Sequence, residues 1–381
     1  MSTIDRHILP PRTRVIRMVR TLADSGQLKP GDQISSERAL AEQLGIGRGA
    51  VRGALAELRR AGLLQNTIGR GLCLAGKQAT GLMSRCIVVL TPTPEPSSDH
   101  NSVGWAEHIA QGAINAVRLS GRNPMVIDPT SVDHSQISAL LADPPAGVLC
   151  PEIPDQQYMP VDVLNQFVDA GMPLVVYGGA PELLRFDRVR SDHCAGAYEL
   201  TKYLISRGCT RIVIYWADGI ENYYWGQGRL AGYEKAMREA GLKPMPTHRH
   251  VGGRLHIPGM AAPDEFEFRV RFHMGCLMPL FASANPEALM LVSDGLVPEV
   301  AKACSHLGHE PGSDLLLAGY DDYWAESETR PFLADVAPAA SVGKRNRAAG
   351  EEMVRLLLDR IDGKLPAEPQ ERVVRPELVV L

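Results

Sequence analysis

From Arg85 onward the sequence keeps returning to one pattern: five or six apolar, largely β-branched residues, then a stretch with helical spacing. The runs are CIVVL (86–90), PMVID (124–128), AGVLC (146–150), PLVVY (173–177), RIVIYW (211–216), ALMLVS (288–293) and LLLAGY (315–320). Helical patterns fall at 136–141, 161–170, 195–206 and 228–240, and another places Trp105, Ile109, Ala113 and Val117 on one face. A strand that is apolar on both sides must be covered on both. Strands alternating with helices achieve this as a doubly wound parallel sheet. The units are more than one such sheet usually holds, so the expected fold is α/β with two Rossmann-like lobes.

The chain has 381 residues, 45% of them hydrophobic and 22% charged, enough for two or three domains with a sizeable core. Its net charge of −4 conceals a division. Residues 1–76 carry twelve Lys and Arg against six Asp and Glu, a net of +6, which leaves −10 for the rest. A basic head on an acidic body implies a polyanionic partner at one end only. Seven cysteines, at 73, 86, 150, 194, 209, 276 and 304, form no CxxC pair. They predict neither a disulfide framework nor a metal site, and they suit a reducing compartment. There is no apolar run of about 18 residues and no signal-peptide core, so the expected location is the cytoplasm, with no membrane partner.

The head has its own periodicity. Val15, Met18, Val19 and Leu22 recur at helical spacing over about 11–25, and Gly26 with the turn KPGD (29–32) ends that segment. A second short helix starts at Ser35 or Ser36, either able to cap it, with Glu37 in the first turn and Leu40 and Leu44 facing inward. Gly45 stops it. A third helix, about 47–61, buries Val51, Ala54, Leu55 and Leu58 and presents Arg48, Arg52 and Arg59 outward. A Gly-Arg-Gly turn (69–71) and Leu72-Cys73-Leu74 then read as a small hairpin. Three helices and a hairpin predict a winged helix-turn-helix that binds double-stranded DNA. Arg48 and Arg52 would reach bases or phosphates in the major groove, and Arg70 the adjacent minor groove. Gly47, Gly49 and Ala50 would let the backbone come close. The glycines of GIGRGAVRG do not suit a dinucleotide loop, because the segment before them, ERALAEQL, is helical and the spacing is GxGxxxG.

PGDQISSERALAEQLGIGRGAVRGALAELRRAGLL, followed by GRG, resembles the GntR-type winged helix over about 15–75. The resemblance implies DNA contacts from Arg38, Arg48, Gly49 and Arg52, with Gly69–Gly71 and Arg70 in the wing. The family has Ser-Arg-Thr where this chain has Gly47-Arg48-Gly49.

In doubly wound sheets, ligands gather at the carboxyl ends of strands. Here those ends carry Tyr177, Trp216 with Asp218, Ser293-Asp294 and Tyr320-Asp321-Asp322, and Arg229 follows Tyr223, Tyr224 and Trp225. Acids, a guanidinium and flat aromatic faces suit a small polyhydroxyl ligand. Each also has a plainer reading. Residues such as Tyr177 and Trp216 are more often core than ligand contacts, Asp294 can cap a helix, Asp321-Asp322 can form a turn, and Arg229 can pair on the surface with Glu221 or Glu234.

The segments VRSDHCAGAYELTKYLISRGCTRIVIY, GRLAGYEKAM, ALMLVSDGLVPEV and LLLAGYDD resemble the LacI/GalR-type regulatory core, itself similar to periplasmic sugar-binding proteins. That likeness implies that Arg229 and Asp321 hold an effector, with Ser293-Asp294 contributing; Tyr177, at a strand end, and Trp225, beside Arg229, complete the expected set. Cys209 stands where the family has His, and residues 248–274 have no counterpart in its pattern.

The domains implied are a winged helix (1–76), a linker (77–84) and an effector-binding and dimerisation domain (85–381). Its lobes would be about 85–187 with 341–366, and about 188–340 with 367–381. Together these make an effector-responsive transcription factor, a repressor in the first reading. It would act as a homodimer on a palindromic operator, with a sugar-like effector and no cofactor, catalytic residue or metal. The rival reading, a sugar kinase or dehydrogenase on the same lobes, lacks a Walker-type GxxxxGK[ST], a fingerprint after the first strand, and GxSxG. A transport binding protein would not carry a DNA-binding head.

Overall fold

Helix signals in the head resolve into α1 (Pro11–Asp24), α2 (Glu37–Leu44) and α3 (Arg48–Arg60). The computed structural model describes residues 10–24, 27–29, 31–60, 63–67, 71–74, 82–91, 104–129, 134–151, 161–251, 260–327 and 329–381. They divide into two units, Met1–Ser84 and Arg85–Leu381.

Of the two candidate caps, Ser36 is the one used: its hydroxyl accepts the Ala39 N–H at 3.2 Å, satisfying a donor that the first turn leaves free. Gly45 ends α2 in the left-handed region (φ 62°), where a side chain would be strained. Val15, Val19, Leu40, Val51, Ala54, Leu55, Leu58, Leu64 and Leu74 form one small core. The hairpin is β1 (Leu64–Thr67) paired antiparallel with β2 (Gly71–Leu74). Residues 32–34 add a third edge that the sequence does not announce: the Ile34 N–H bonds to Leu72 O and the Leu74 N–H to Asp32 O, at 2.8 and 2.9 Å.

The second unit is two six-stranded sheets. One has the order β13-β7-β6-β5-β3-β4 and is parallel throughout. Its strands are β3 (Cys86–Leu90), β4 (Asn123–Ile127), β5 (Gly147–Cys150), β6 (Leu174–Tyr177), β7 (Asp187–Ser191) and β13 (Glu371–Val374). The other has the order β14-β12-β11-β10-β8-β9, with β14 alone antiparallel. It is built from β8 (Ile212–Ala217), β9 (His248–His250), β10 (Ala288–Leu291), β11 (Leu316–Tyr320), β12 (Ala340–Gly343) and β14 (Glu377–Val380). The covering helices are α4 (Gly104–Leu119), α5 (His134–Ala142), α6 (Val161–Asp169), α7 (His193–Ser206), α8 (Tyr224–Glu239), α9 (Ala262–Ser283), α10 (Val297–His306) and α11 (Asn346–Ile361).

The chain changes sheets three times, after β7, after β12 and after β13. This moves the expected lobe boundaries. Residues 188–191 pair in the first lobe, β12 belongs to the second lobe, and β13 returns to the first. The physical reason is that β7 is not an apolar run. In DRVRS every other residue is fully buried, and buried Asp187 is held by Arg360 through two bonds of 2.7 Å and by the Gln370 N–H at 2.7 Å. That pair fastens the end of α11 to β7, and a buried carboxylate would be costly without it. Of the expected linker 77–84, only residues 82–84 are described, and they lie in a short 3₁₀ turn, Leu82–Arg85.

Of residues 248–274, which have no counterpart in the LacI/GalR-type pattern, 248–250 form β9 and 262–274 begin the 22-residue α9. Phe266, Val270, His273, Leu277 and Leu280 make its buried stripe at helical spacing. His273 fits there because Tyr215 Oη lies 2.7 Å from its Nδ1, and buried Glu299 lies 3.2 Å from its Nε2.

Candidate functional site

In the head, Arg48 is the first residue of α3 and Arg52 lies one turn on. Both are exposed at the edge of the buried stripe of Val51, Ala54 and Leu55. Arg38 and Arg52 remain about three-quarters exposed, at 72% and 73% of the side chain. Arg38 is paired with Glu42 at 3.3 Å, and Arg52 makes a forked contact with Glu37 at 3.0 and 3.2 Å. Pairs this exposed hold a guanidinium in place at little energetic cost, so a phosphate can take it over. An open groove bordered by Gln33, Ser36, Glu37, Arg52, Arg59 and Leu72 runs between α2, α3 and the hairpin. A Cβ on Gly49 would meet nothing within 4 Å, so packing inside the chain does not demand that glycine. Arg70 lies outside the described residues.

The second unit gathers a different kind of site where its two lobes meet. Arg229, in the first turns of α8, is 5% exposed. Its guanidinium carbon lies over Tyr320, 3.6 Å from the ring centroid, with Trp225 at 4.7 Å from the same carbon. Its Nη1 donates to Val292 O at 2.7 Å, while its Nε is buried without a partner. The surface pairing with Glu221 or Glu234 is not what forms: Glu221 pairs with Arg249 at 2.9 Å and Glu234 with Arg238. Trp225 stacks on Tyr223 with the rings 4° from parallel.

Asp321 follows β11 with φ at 91°, a conformation rare for a side chain and one that marks functional turns. Lys344, just past β12, meets it at 2.8 Å. Lys344 is buried, and its ammonium also lies 4.5 Å from the ring of Trp105 on α4. Trp105 in turn packs against Tyr177, with the centroids 6.1 Å apart. Tyr177 belongs to a core cluster, yet its hydroxyl is sealed without a partner, as is Nδ1 of buried His193. Burial pushes the Tyr177 hydroxyl well up, with further pushes from Tyr224 and Asp321. Burial also holds His193 well down, helped by Arg229, Lys344 and Arg190, so the imidazole is neutral at ordinary pH.

Ser293 and Asp294 have a supporting place here. The Gly295 N–H donates to Ser293 Oγ at 3.3 Å, and the Tyr323 N–H donates to both Asp294 oxygens at 2.9 and 3.1 Å. Asp294 is fully buried, and desolvation raises its pKa to about 7. Its carboxyl faces the backbone of the turn after Asp321, so it shapes that turn. Trp216 lies in the core of the second lobe.

Residues that the sequence does not single out are Lys344, Trp105 as a site residue, and His193, whose ring packs edge-on to that of Tyr224 at 5.7 Å. Lys344 was findable: it directly follows a strand end, but ASVG is too short and small to read as a strand. Among the described residues no group of His, Cys, Asp and Glu could hold a metal ion, and no helix is long and apolar enough to cross a membrane.

An exposed arginine face on a winged helix, joined to a buried mixed-charge site between two lobes, defines a DNA-binding regulator. Comparison with known proteins agrees with this. Residues 11–73 match the family described as "Bacterial regulatory proteins, gntR family", and residues 201–380 match "Periplasmic binding protein-like domain". The chain is 22% identical over 391 residues to the arabinose metabolism transcriptional repressor of Geobacillus stearothermophilus, covering 98% of this chain and 97% of that protein. It is 28% identical over 293 residues to the HTH-type transcriptional regulator CelR of Thermobifida fusca, covering 74% and 78%. In fold it resembles a regulatory protein of the LacI family from Chloroflexus aggregans, with a TM-score of 0.59, 24% identity, and coverage of 78% and 97%. A CelR–cellobiose complex aligns at a TM-score of 0.59 and 21% identity over 91% of this chain and 99% of that one. The chain thus joins a gntR-type DNA-binding domain to a periplasmic-binding-protein-like domain, the make-up of a transcriptional regulator and not of an enzyme.

Proposed function

We propose that this regulator is a cytoplasmic, homodimeric repressor whose operator affinity is set by a sugar-like ligand taken between the two lobes of the second unit. Arg48, Arg52, Arg38, Gly49 and Arg70 form the DNA face. Arg229, Asp321, Tyr177 and Trp225 contact the ligand, with Ser293 and Asp294 shaping the turn beneath it. The observation that carries the reading is the convergence, on one lobe junction, of buried polar atoms left without partners: Tyr177 Oη, His193 Nδ1 and Arg229 Nε. Buried polar groups without partners are costly, and such groups facing one place are what a polar ligand satisfies. The relative named for arabinose metabolism and the solved structure named as a CelR–cellobiose complex support a sugar as that ligand.

Binding changes how the lobes close. In a dimer this alters the spacing of two heads, each over one half-site. A coupling of about 1–3 kcal/mol, roughly 5–150-fold in operator affinity, makes a working switch. The test is to select a duplex from random DNA and follow binding by fluorescence anisotropy with and without candidate sugars, using light scattering to count protomers. Arg229→Ala is expected to bind the selected duplex as the parent does and to lose all response to the sugar. Loss of DNA binding with it would mean that Arg229 holds the fold and not the ligand.

A further inference from the structure

We propose that the ligand is an acid, a sugar bearing a carboxylate or a phosphate, whose anionic group is held jointly by Arg229 and Lys344. The inference rests on the ligand-controlled reading above and narrows its ligand. The charges at the lobe junction do not balance as they would for a neutral sugar. Two cations, Arg229 and Lys344, are each buried to within about 6% of full coverage. The carboxylate within their common reach is Asp321, and it is already engaged with Lys344 at 2.8 Å. Asp294, whose oxygens both accept the Tyr323 N–H, also acts on Lys344, but burial raises its pKa to about 7, so it offsets that charge only in part at neutral pH. Arg190, which also faces His193, is matched by Glu371 at 3.0 Å.

Arg229 therefore lacks a dedicated counter-ion, and its Nε is a buried donor with nothing to bond. Desolvation works against both cations, depressing the affinity of Arg229 and Lys344 for their protons. A buried cation is kept where an anion arrives to meet it, and a guanidinium with a free edge suits a carboxylate or phosphate oxygen. The neighbouring groups agree. Neutral Tyr177 offers a hydroxyl donor, and the Trp105 ring beneath Lys344 orients its ammonium without neutralising it. Sites built for neutral sugars use carboxylates to accept hydroxyl protons; here the one carboxylate facing the ligand is already bound to a lysine.

The test is titration calorimetry of the full chain with matched probes: D-glucuronate against D-glucose, D-galacturonate against D-galactose, and D-glucose 6-phosphate. An acid is expected to bind roughly tenfold or more tightly than its neutral partner, the effect of a charge-assisted bond. Added potassium chloride should weaken the acid and not the neutral sugar. Lys344→Met should remove the preference, and Lys344→Arg should restore it, separating charge from folding. Glucuronate binding marks a carboxylate ligand, and glucose 6-phosphate alone a phosphate; either supports the proposal. A neutral sugar bound as tightly as its acid overturns it while leaving the regulator's sugar-controlled switch intact. Operator binding that answers to no probe, acidic or neutral, overturns the sugar reading as well.

Discussion

The head and the lobe junction both rely on arginine, and they treat its charge in opposite ways. Arg38 and Arg52 stand in solvent, about three-quarters exposed, each resting on a glutamate. Arg229 is 5% exposed, in contact with two aromatic rings and short of one hydrogen bond. An exposed guanidinium keeps its hydration until a polyanion displaces ions from around it, so its contribution is long-ranged and salt-sensitive. A buried one has lost its hydration when the fold formed, and its remaining donor is aimed at one spot. The first arrangement suits a long, uniform partner of many phosphates, the second a small ligand with a single site. The same side chain is a sliding contact in one unit and a fixed probe in the other.

That contrast is open to attack first through salt. Operator affinity should fall roughly a thousandfold or more between about 50 and about 200 mM salt if each dimer makes several phosphate contacts. Sugar-acid binding should move far less over the same interval. Equal salt slopes, measured by anisotropy and calorimetry on one preparation, would erase the distinction between the two arginine settings.

The next largest effect separates residues within the head. Arg48→Ala and Arg52→Ala should each weaken specific binding by roughly 5–150-fold, the span for one bidentate base contact, and relax preference at one base position. A uniform loss across all duplexes would make them phosphate contacts. Glu37→Gln sharpens the point by releasing Arg52 from its fork. If Glu37 orients Arg52 for a base, selectivity drops while non-specific binding rises.

A third effect concerns the body alone, and the four tryptophans report on it cleanly, since all of them lie beyond residue 84. Asp294 has its pKa raised from 3.8 to about 7, chiefly by desolvation. The folded chain therefore keeps a proton that the unfolded chain has shed. Stability gained from that proton is complete below the unfolded value and declines as pH rises toward the folded one. The decline is roughly 1 kcal/mol between about pH 6 and pH 7. Urea unfolding followed by tryptophan fluorescence should show this slope, and Asp294→Asn should flatten it. A slope unchanged in the variant would assign the titration elsewhere.

Much of this was written in the order of residues, and the exceptions share a cause. Strands buried on both faces, such as CIVVL and LVVY, declare themselves because every residue is apolar. Helix ends at Ser36 and Gly45 declare themselves because capping and left-handed turns need particular side chains. What stayed hidden was whatever mixes polar residues into a buried element. Asp187 and Arg188 disguised β7, and His273 broke the stripe of α9. The site divides in the same way. Arg229 and Asp321 carry motif neighbours on both sides, whereas Lys344 and His193 become neighbours of the site only when the chain crosses between sheets. Those partnerships are properties of the topology, and local spacing does not encode them.

The smallest effect returns to the head and asks what its glycines do. Gly49 lies in the first turn of α3, and a Cβ there would touch nothing within 4 Å. Its φ is not in the left-handed region, so a side chain is compatible with the backbone as it stands. Gly49→Ala should then stabilise the isolated protein by a few tenths of a kcal/mol, at or below the low end of the roughly 0.5–1 kcal/mol seen for glycine inside helices. The informative measurement is the ratio between this gain, read by thermal unfolding, and any loss of operator affinity. If the glycine is there so that DNA can approach the backbone, the variant folds better and binds worse, and Gly49→Thr, with the larger side chain, binds worse still. If the position is merely open, Gly49→Thr supplies a hydroxyl within reach of a phosphate and binding improves. The first outcome makes the bare backbone at the start of α3 part of the exposed, adaptable DNA face that sets the head apart from the lobe junction. The second leaves that face to the arginines alone.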